Sequence, residues 1–365
     1  MSSSDSHLTA LLTALLSEEA LPPVDRWFSR LAKENRWSLG TQKALWDALR
    51  RALCRGFSLL DRPNEEHTEW RGFRRVMRGR AEEWTQAASG EAPTRPSLAE
   101  AGIPPWWKSD WDERVRRSSW TEDEQRRFLT AQETAAPVYA REHERTVLAS
   151  QIPDAFSRAR EGEIEIQDAA SQISLAGLEL RPGMRVWDVC AGRGGKTLLA
   201  ASELRGKGAV LATDISEGRL NALKERVRRS GWQNIRILSW DGETPPAFGA
   251  ELKQGFDRVV VDAPCTASGT WRRDPEGRYR VTPKSLAELI RHQTRLLRLG
   301  WTALKPGGRL AYVTCSWLPV ENEDVVEAFV RESGAALIRQ ELLGLPAFDA
   351  NTVYSAILEK PWSAT

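Results

Sequence analysis

The chain has 365 residues, with 52 Lys and Arg against 50 Asp and Glu, four Cys, 41% hydrophobic and 28% charged residues. That length suits roughly two domains of about 150 residues, and the composition excludes wholesale disorder, a collagen-like repeat and a disulfide scaffold. A net charge of +2 argues against capture of polyanions by bulk charge, although 42 of the 52 basic residues are Arg, whose planar fork suits bidentate phosphate contacts.

No stretch approaches the roughly 20 apolar residues of a membrane span. The run Leu8 to Leu16 is broken by threonines, follows an acidic start at Asp5 and lacks a small-residue cleavage site, so no secretion signal is expected. Cys54, Cys190, Cys265 and Cys315 form no CxxC and read as reduced thiols of a cytoplasmic protein. His7, His67, His143 and His292 lie far from any paired cysteine spacing, so no metal is expected.

From Leu8 to about Trp84 apolar residues recur every three or four positions, which predicts a helical unit with Trp27, Trp37, Trp46, Trp70 and Trp84 in its core. Arg71, Arg74, Arg75, Arg78 and Arg80 crowd a short stretch, with those at 71, 74/75 and 78 on one helical face; a solvated face and an RNA phosphate contact both fit. Ala87 to Pro105 is rich in Pro, Gly, Ser and Ala and reads as a linker at a domain boundary. Trp106, Trp107, Trp111 and Trp120 follow in a short helical stretch ending near Arg145.

From Arg185 the texture changes to short β-branched runs alternating with longer helical segments. RVWDVC, AVLATD, IRILSWD, RVVVDAP and RLAYVTCS are the predicted strands, and Glu217 to Arg229 (with Ser216 as N-cap) and Pro283 to Leu304 are predicted helices. This alternation predicts an α/β domain with a parallel sheet covered on both faces, whose ligands lie beyond the carboxyl ends of the strands.

The first strand runs into Asp188-Val189-Cys190-Ala191-Gly192-Arg193-Gly194-Gly195-Lys196-Thr197, a glycine turn opening a helix whose amides can hold an anionic group. A nucleotide phosphate loop needs Gly where Cys190 stands, which disfavours ATP or GTP. Asp214 ends the next strand, placed to accept two ribose hydroxyls from either NAD or S-adenosylmethionine. Asp241 and Asp262 end two further strands, and Cys265 and Cys315 put two thiols on the same rim. Such a pair suits a covalent reaction on a weak nucleophile such as carbon 5 of cytosine, which becomes an enamine carbon once a thiolate adds at carbon 6.

DVCAGRGGKT, TDISEGRLNALKERVRRSG, VDAPCTASGTWRRDPEGRYR and YVTCSWLPVENEDVVEAF resemble, in order and spacing, the motifs of the RsmB/NOL1/NOP2/Sun family of RNA cytosine-C5 methyltransferases. IQDAASQ at Ile166 to Gln172 resembles the family's QDEASQ segment, and DRWFSRLAKENRWSLGTQKALWDALRRALCR is similar to the NusB-like RNA-binding domain of its bacterial rRNA enzymes. The resemblance implies a Rossmann-like class I methyltransferase sheet (165–365) after a helical NusB-like domain (1–86), with a linker and short helical connector (87–164) between them. It implies S-adenosylmethionine as cofactor, held by Cys190 to Lys196, Asp214, Arg219, Asp241 and Asp262. It makes Cys315 the nucleophile and Cys265 the thiol that assists breakdown of the adduct. Asp262 then lies between methyl donor and base, and Lys196 orients Asp262 or the cytosine. DNA cytosine-C5 methyltransferases use a Pro-Cys cysteine instead, which would make Cys265 the attacker; the Thr314-Cys315-Ser316 motif argues against that.

The implied partner is RNA, rRNA before tRNA, presented single-stranded or with a flipped cytosine. Arg71, Arg74, Arg75, Arg78, Arg272 and Arg273, with Arg278 and Arg280 beyond them, are the expected phosphate contacts. The protein is expected to act as a monomer; a catalytically idle RNA-binding or assembly protein of the same fold is the competing reading. Three features depart from the family: CAGRGGKT replaces CAAPGGKT, only 30 residues separate Pro137 from Gln167 where a larger RNA-binding module is usual, and NTVYSAILEK is a degenerate closing strand.

Overall fold

In the computed structural model, which describes residues 3–60, 69–142, 145–244 and 255–362, the chain divides into two compact units. The first holds residues 1–136, 266–287 and 345–347, and the second holds 137–265, 288–344 and 348–365. His67, His143 and residues 61–68 of the expected helical run lie outside the described residues.

The first unit is helical: α1 (Ser3–Ser17), α2 (Val24–Glu34), α3 (Leu39–Arg55), α4 (Trp70–Met77), α5 (Ala81–Ser89), α6 (Lys108–Ser118) and α7 (Glu122–Ala131). Ser38 caps α3 by accepting the Thr41 amide, and α7 opens on a Thr121/Glu124 capping box. Its core is drawn from the apolar faces of α1 to α5, including Leu12, Leu49, Phe73 and Trp84. Trp27 and Trp70 are buried as the periodicity predicts, while Trp37 and Trp46 pack at its edge against Phe28.

Two expectations about this unit are corrected. Residues 87–105 are not a boundary: Ala88, Ala101 and Ile103 are buried, and Arg55 donates to the carbonyls of Ala87 and Gly90. The Arg-rich stretch after Cys265 is largely interior. Arg272 is 3% exposed and donates to the Thr134 and Ala135 carbonyls. Arg278 is buried 5.6 Å over the Trp271 ring, which stacks on Trp107. Tyr279 packs on Phe57 and Phe73 and donates to the Leu53 carbonyl at 2.6 Å. A guanidinium enclosed by carbonyls and aromatic faces does not face phosphate, even where, as in Arg278, Nε and Nη1 are buried without a hydrogen-bond partner. Arg273 and Arg280 stay exposed.

The second unit begins with a small antiparallel sheet, order β2-β1-β3, of β1 (Tyr139–Glu142), β2 (Arg145–Leu148) and β3 (Glu165–Ile166), with α8 (Ala155–Glu161) between the last two. After α9 (Ala169–Ile173) come β4 (Arg185–Asp188), α10 (Gly195–Glu203), β5 (Ala209–Asp214), α11 (Glu217–Ser230), β6 (Ile235–Ser239), β7 (Phe256–Asp262), α12 (Pro283–Ala303), β8 (Leu304–Thr314), α13 (Glu323–Ser333), β9 (Ala336–Leu343) and β10 (Val353–Glu359). The seven-stranded sheet has the order β6-β5-β4-β7-β8-β10-β9. Strands β4 to β8 are parallel; β10 runs antiparallel to β8 and β9. All five predicted strands form, and so do both predicted helices, with Ser216 accepting the Arg219 amide as N-cap. Strand order reverses between β4 and β7, which is where an open α/β sheet leaves a crevice for ligand.

Candidate active site

A cavity of about 340 Å³ opens at that crevice, lined by residues that end β4 to β8 and by α12. Its floor is the turn after β4. Gly192 (φ +54) has nothing within 4 Å of where a Cβ would sit, so bare backbone faces the cavity there. Gly194 (φ +88) opens α10, and a Cβ on it would lie 2.1 Å from Leu223 Cδ1. Only glycine meets both demands.

Asp214 is buried at the end of β5. Its Oδ2 accepts the Gly192 amide (2.9 Å) and its Oδ1 the Ser216 amide (2.8 Å), so the carboxylate is fixed while its remaining lone pairs can take ligand hydroxyls. Arg219 Nη1 stands 4.0 Å from Oδ1. Asp241 lines the same cavity, and its Oδ1 also accepts the Glu243 amide, so it serves its own turn as well. The exposed Ile215 and the buried Trp240 add apolar surface. A fixed carboxylate, a glycine floor and flanking apolar walls fit an adenosine-bearing ligand.

The reactive side groups meet at the opposite wall. β7 and β8 pair in parallel with Asp262 beside Val313, so the residues that follow, Cys265 and Cys315, leave the sheet side by side. Their Sγ atoms are 3.4 Å apart and both line the cavity. Lys196, on the first turn of α10, is buried and pairs through Nζ with Asp262 Oδ2 at 2.8 Å. Burial alone would lower the Lys196 pKa, but the charge and hydrogen bond of Asp262, with a smaller contribution from Cys315, leave it raised, so the ammonium stays charged beside the thiols. Cys190, the third thiol of the cavity, is pushed well above its ordinary range by burial and is held neutral.

The expected cofactor and reactive residues thus come together, with Ala191, Arg193 and Gly195 in the same turn. The expected phosphate contacts do not join them: Arg71, Arg74, Arg75 and Arg78 line, with Glu19, a separate cavity of the helical unit. Three further side chains reach the site, of which only Ser171, within IQDAASQ, lies in a quoted motif. Ser171 accepts from Lys196 Nζ at 3.4 Å, and His292 and Leu296 line the cavity from α12.

Asp188, at the end of β4, is fully buried; Oδ2 accepts the Thr197 hydroxyl at 2.6 Å and Oδ1 has no hydrogen-bond partner. Burial raises its pKa to about 7, against a lowering by Thr197. An unfolded chain releases this proton near pH 4, so the contribution of Asp188 to stability is fully present below that and is lost as pH rises to about 7. Asp188→Asn is therefore expected to gain stability relative to the wild type between pH 4 and 8, read as a growing difference in Tm. A difference that does not change with pH would reject this.

Residues 175–351 match the family described as 16S rRNA methyltransferase RsmB/F. Ribosomal RNA small subunit methyltransferase B of Enterobacter sp. (strain 638) is 34% identical over 237 residues, which cover 65% of this chain and 53% of that protein. The chain spans about half the length of the curated relatives it matches. Among solved structures, PH0851 superposes with a TM-score of 0.69 at 21% identity, covering 99% of this chain and 100% of that one. A methyltransferase homolog from Pyrococcus horikoshii gives 0.53 at 24% identity, covering 69% and 99%. At these identities the structures establish the fold.

Proposed function

We propose that the chain, whose residues 175–351 match the 16S rRNA methyltransferase RsmB/F family, methylates carbon 5 of a cytosine in small-subunit rRNA from S-adenosylmethionine. The observation that carries the chemistry is the pair of thiols 3.4 Å apart in the cavity that also holds Asp214.

S-adenosylmethionine supplies an electrophilic methyl sulfonium. In this reading Asp214 holds its ribose hydroxyls, Ile215, Trp240 and Asp241 border the adenine, and the 190–196 turn meets the amino-acid arm. Cys315 adds as thiolate to carbon 6, and the ring electrons move to carbon 5, which takes the methyl group. A base then removes the carbon 5 proton, the carbon 5–carbon 6 double bond re-forms and the Cys315 thiolate leaves. Cys265 is the group in reach of that proton. Asp262 and Lys196 present an acceptor and a donor to the polar edge of the base. The RNA must be single-stranded or have the cytosine flipped. Arg71, Arg74, Arg75 and Arg78, gathered round one cavity, are its phosphate contacts on the helical unit.

Bisulfite sequencing of total RNA from cells with and without the gene tests this. Loss of one protected cytosine in 16S rRNA is the expected result. Loss in a tRNA moves the substrate and keeps the chemistry. No change anywhere supports the idle protein and overturns the proposal.

A further inference from the structure

Behind the two thiols lies a set of fully buried polar side chains that the reaction above does not use. Gln293, Thr314, Ser316, Glu321 and Asn322 are all 0% exposed. Gln293, on α12, donates from Nε2 to two acceptors: the carbonyl of Pro264 at 3.0 Å and Oε1 of Glu321 at 2.9 Å. Pro264 immediately precedes Cys265. Asn322 donates from Nδ2 to the Ser316 carbonyl at 2.9 Å and accepts the Thr314 hydroxyl at 2.6 Å. Thr314 and Ser316 flank Cys315. The Tyr312 hydroxyl then fixes the Glu321 carbonyl at 2.6 Å. The backbone beside each thiol is thus tied to one of two consecutive residues, 321 and 322.

Such a network is an expensive way to fill a core. Burying polar groups and a carboxylate costs several kcal/mol unless every partner is well placed, and apolar side chains of similar volume usually do as well or better for stability. What apolar packing cannot do is hold two loop turns at a set separation by directional bonds. In the covalent adduct Cys315 Sγ is bonded to carbon 6 while Cys265 must reach the proton on the adjacent carbon 5. A misplacement of about 1 Å at such a step is worth about 10²-fold in rate.

We propose that Gln293, Glu321 and Asn322 form a positioning clamp that sets the spacing of Cys265 and Cys315 and thereby the rate at which the covalent adduct resolves. The kinetic half of this rests on the reaction proposed above; the geometric half does not.

Two near-isosteric variants test it, Gln293→Met on the Cys265 side and Thr314→Val on the Cys315 side, so that one remains if the other does not fold. Cross-linking by diamide, which takes two electrons and two protons from the thiol pair as it becomes a hydrazine, reads the spacing without RNA or cofactor. Its rate, followed by mass and thiol labelling, is expected to change about fivefold or more in each variant while Tm holds within a few degrees. Turnover is expected to fall about 10²-fold with KM for RNA within about twofold, and the RNA adduct to accumulate on denaturing gels. Glu321→Gln keeps an acceptor oxygen for Gln293 and is expected to behave as wild type, whereas Glu321→Ala behaves as Gln293→Met. Wild-type cross-linking rates in both variants overturn the clamp, as does unchanged turnover where the wild type methylates. A wild type that neither methylates nor traps RNA sinks the reaction alone, because the cross-linking rates still decide the geometry.

Discussion

Cys315→Ala is expected to lower methyl transfer by at least about 10⁴-fold and to leave no RNA bound covalently, because a nucleophile's removal takes with it everything the site arranges around it. Cys265→Ala is expected to do something different. Attack and methylation proceed, the carbon 5 proton stays, and RNA accumulates as an adduct that survives denaturing electrophoresis, with turnover down by about 10² to 10⁴. Labelled methyl transfer and gel shift, run side by side on both variants, separate the two roles. The reverse pattern would exchange them and give the attack to the thiol that follows Pro264. Cys190→Ala is expected to remain active, as a thiol held neutral by burial is a poor nucleophile.

The second large effect lies in the helical unit. Arg55 and Glu133 are both buried and meet in a bidentate pair, Nε to Oε1 at 2.6 Å and Nη2 to Oε2 at 2.8 Å. The Glu133 hydrogen bond is the chief cause of a raised Arg55 pKa. Arg55→Ala removes the partner of a carboxylate that stays inside and frees the carbonyls of Ala87 and Gly90. The expected loss is about 3–5 kcal/mol, read from urea unfolding by helix circular dichroism; a loss under about 1 kcal/mol would mean that Glu133 finds water or another donor. Arg55→Lys is expected to fall between, since a point charge cannot replace the fork.

These two sites differ in how far the sequence discloses them. The sheet unit is legible because its signals are local: each β-branched run is a strand, each strand ends in a glycine turn, an acid or a cysteine, and the crevice follows from strand order. The helical unit hides more. AASGEAPTRPSLAEAGIPP has the composition of a linker, and donors on α3 more than thirty residues earlier in the chain, Arg55 and Arg51 among them, take up its carbonyls. Arg272 and Arg278 have the composition of an RNA contact, and aromatic faces and carbonyls from distant segments enclose them instead. Glu321 and Asn322 look like the acid-rich start of a helix, yet they are fully buried just ahead of α13. For the linker-like stretch and for Arg272 the deciding partner is remote in sequence, where periodicity and composition carry no information. β9, an exposed strand beside β10, and the two- to four-residue strands β1 to β3 are too weakly patterned to be read.

The return of residues 266–287 to the helical unit has a topological result. Because that unit is built from chain on both sides of the sheet's first four strands, no single cut divides the protein into two self-sufficient pieces. A fragment beginning at residue 137 carries Trp271, Arg278 and Tyr279 without the helices that bury them. Duplication or exchange of the sheet unit by one recombination event would likewise take part of its companion with it, so the two units are expected to be inherited together.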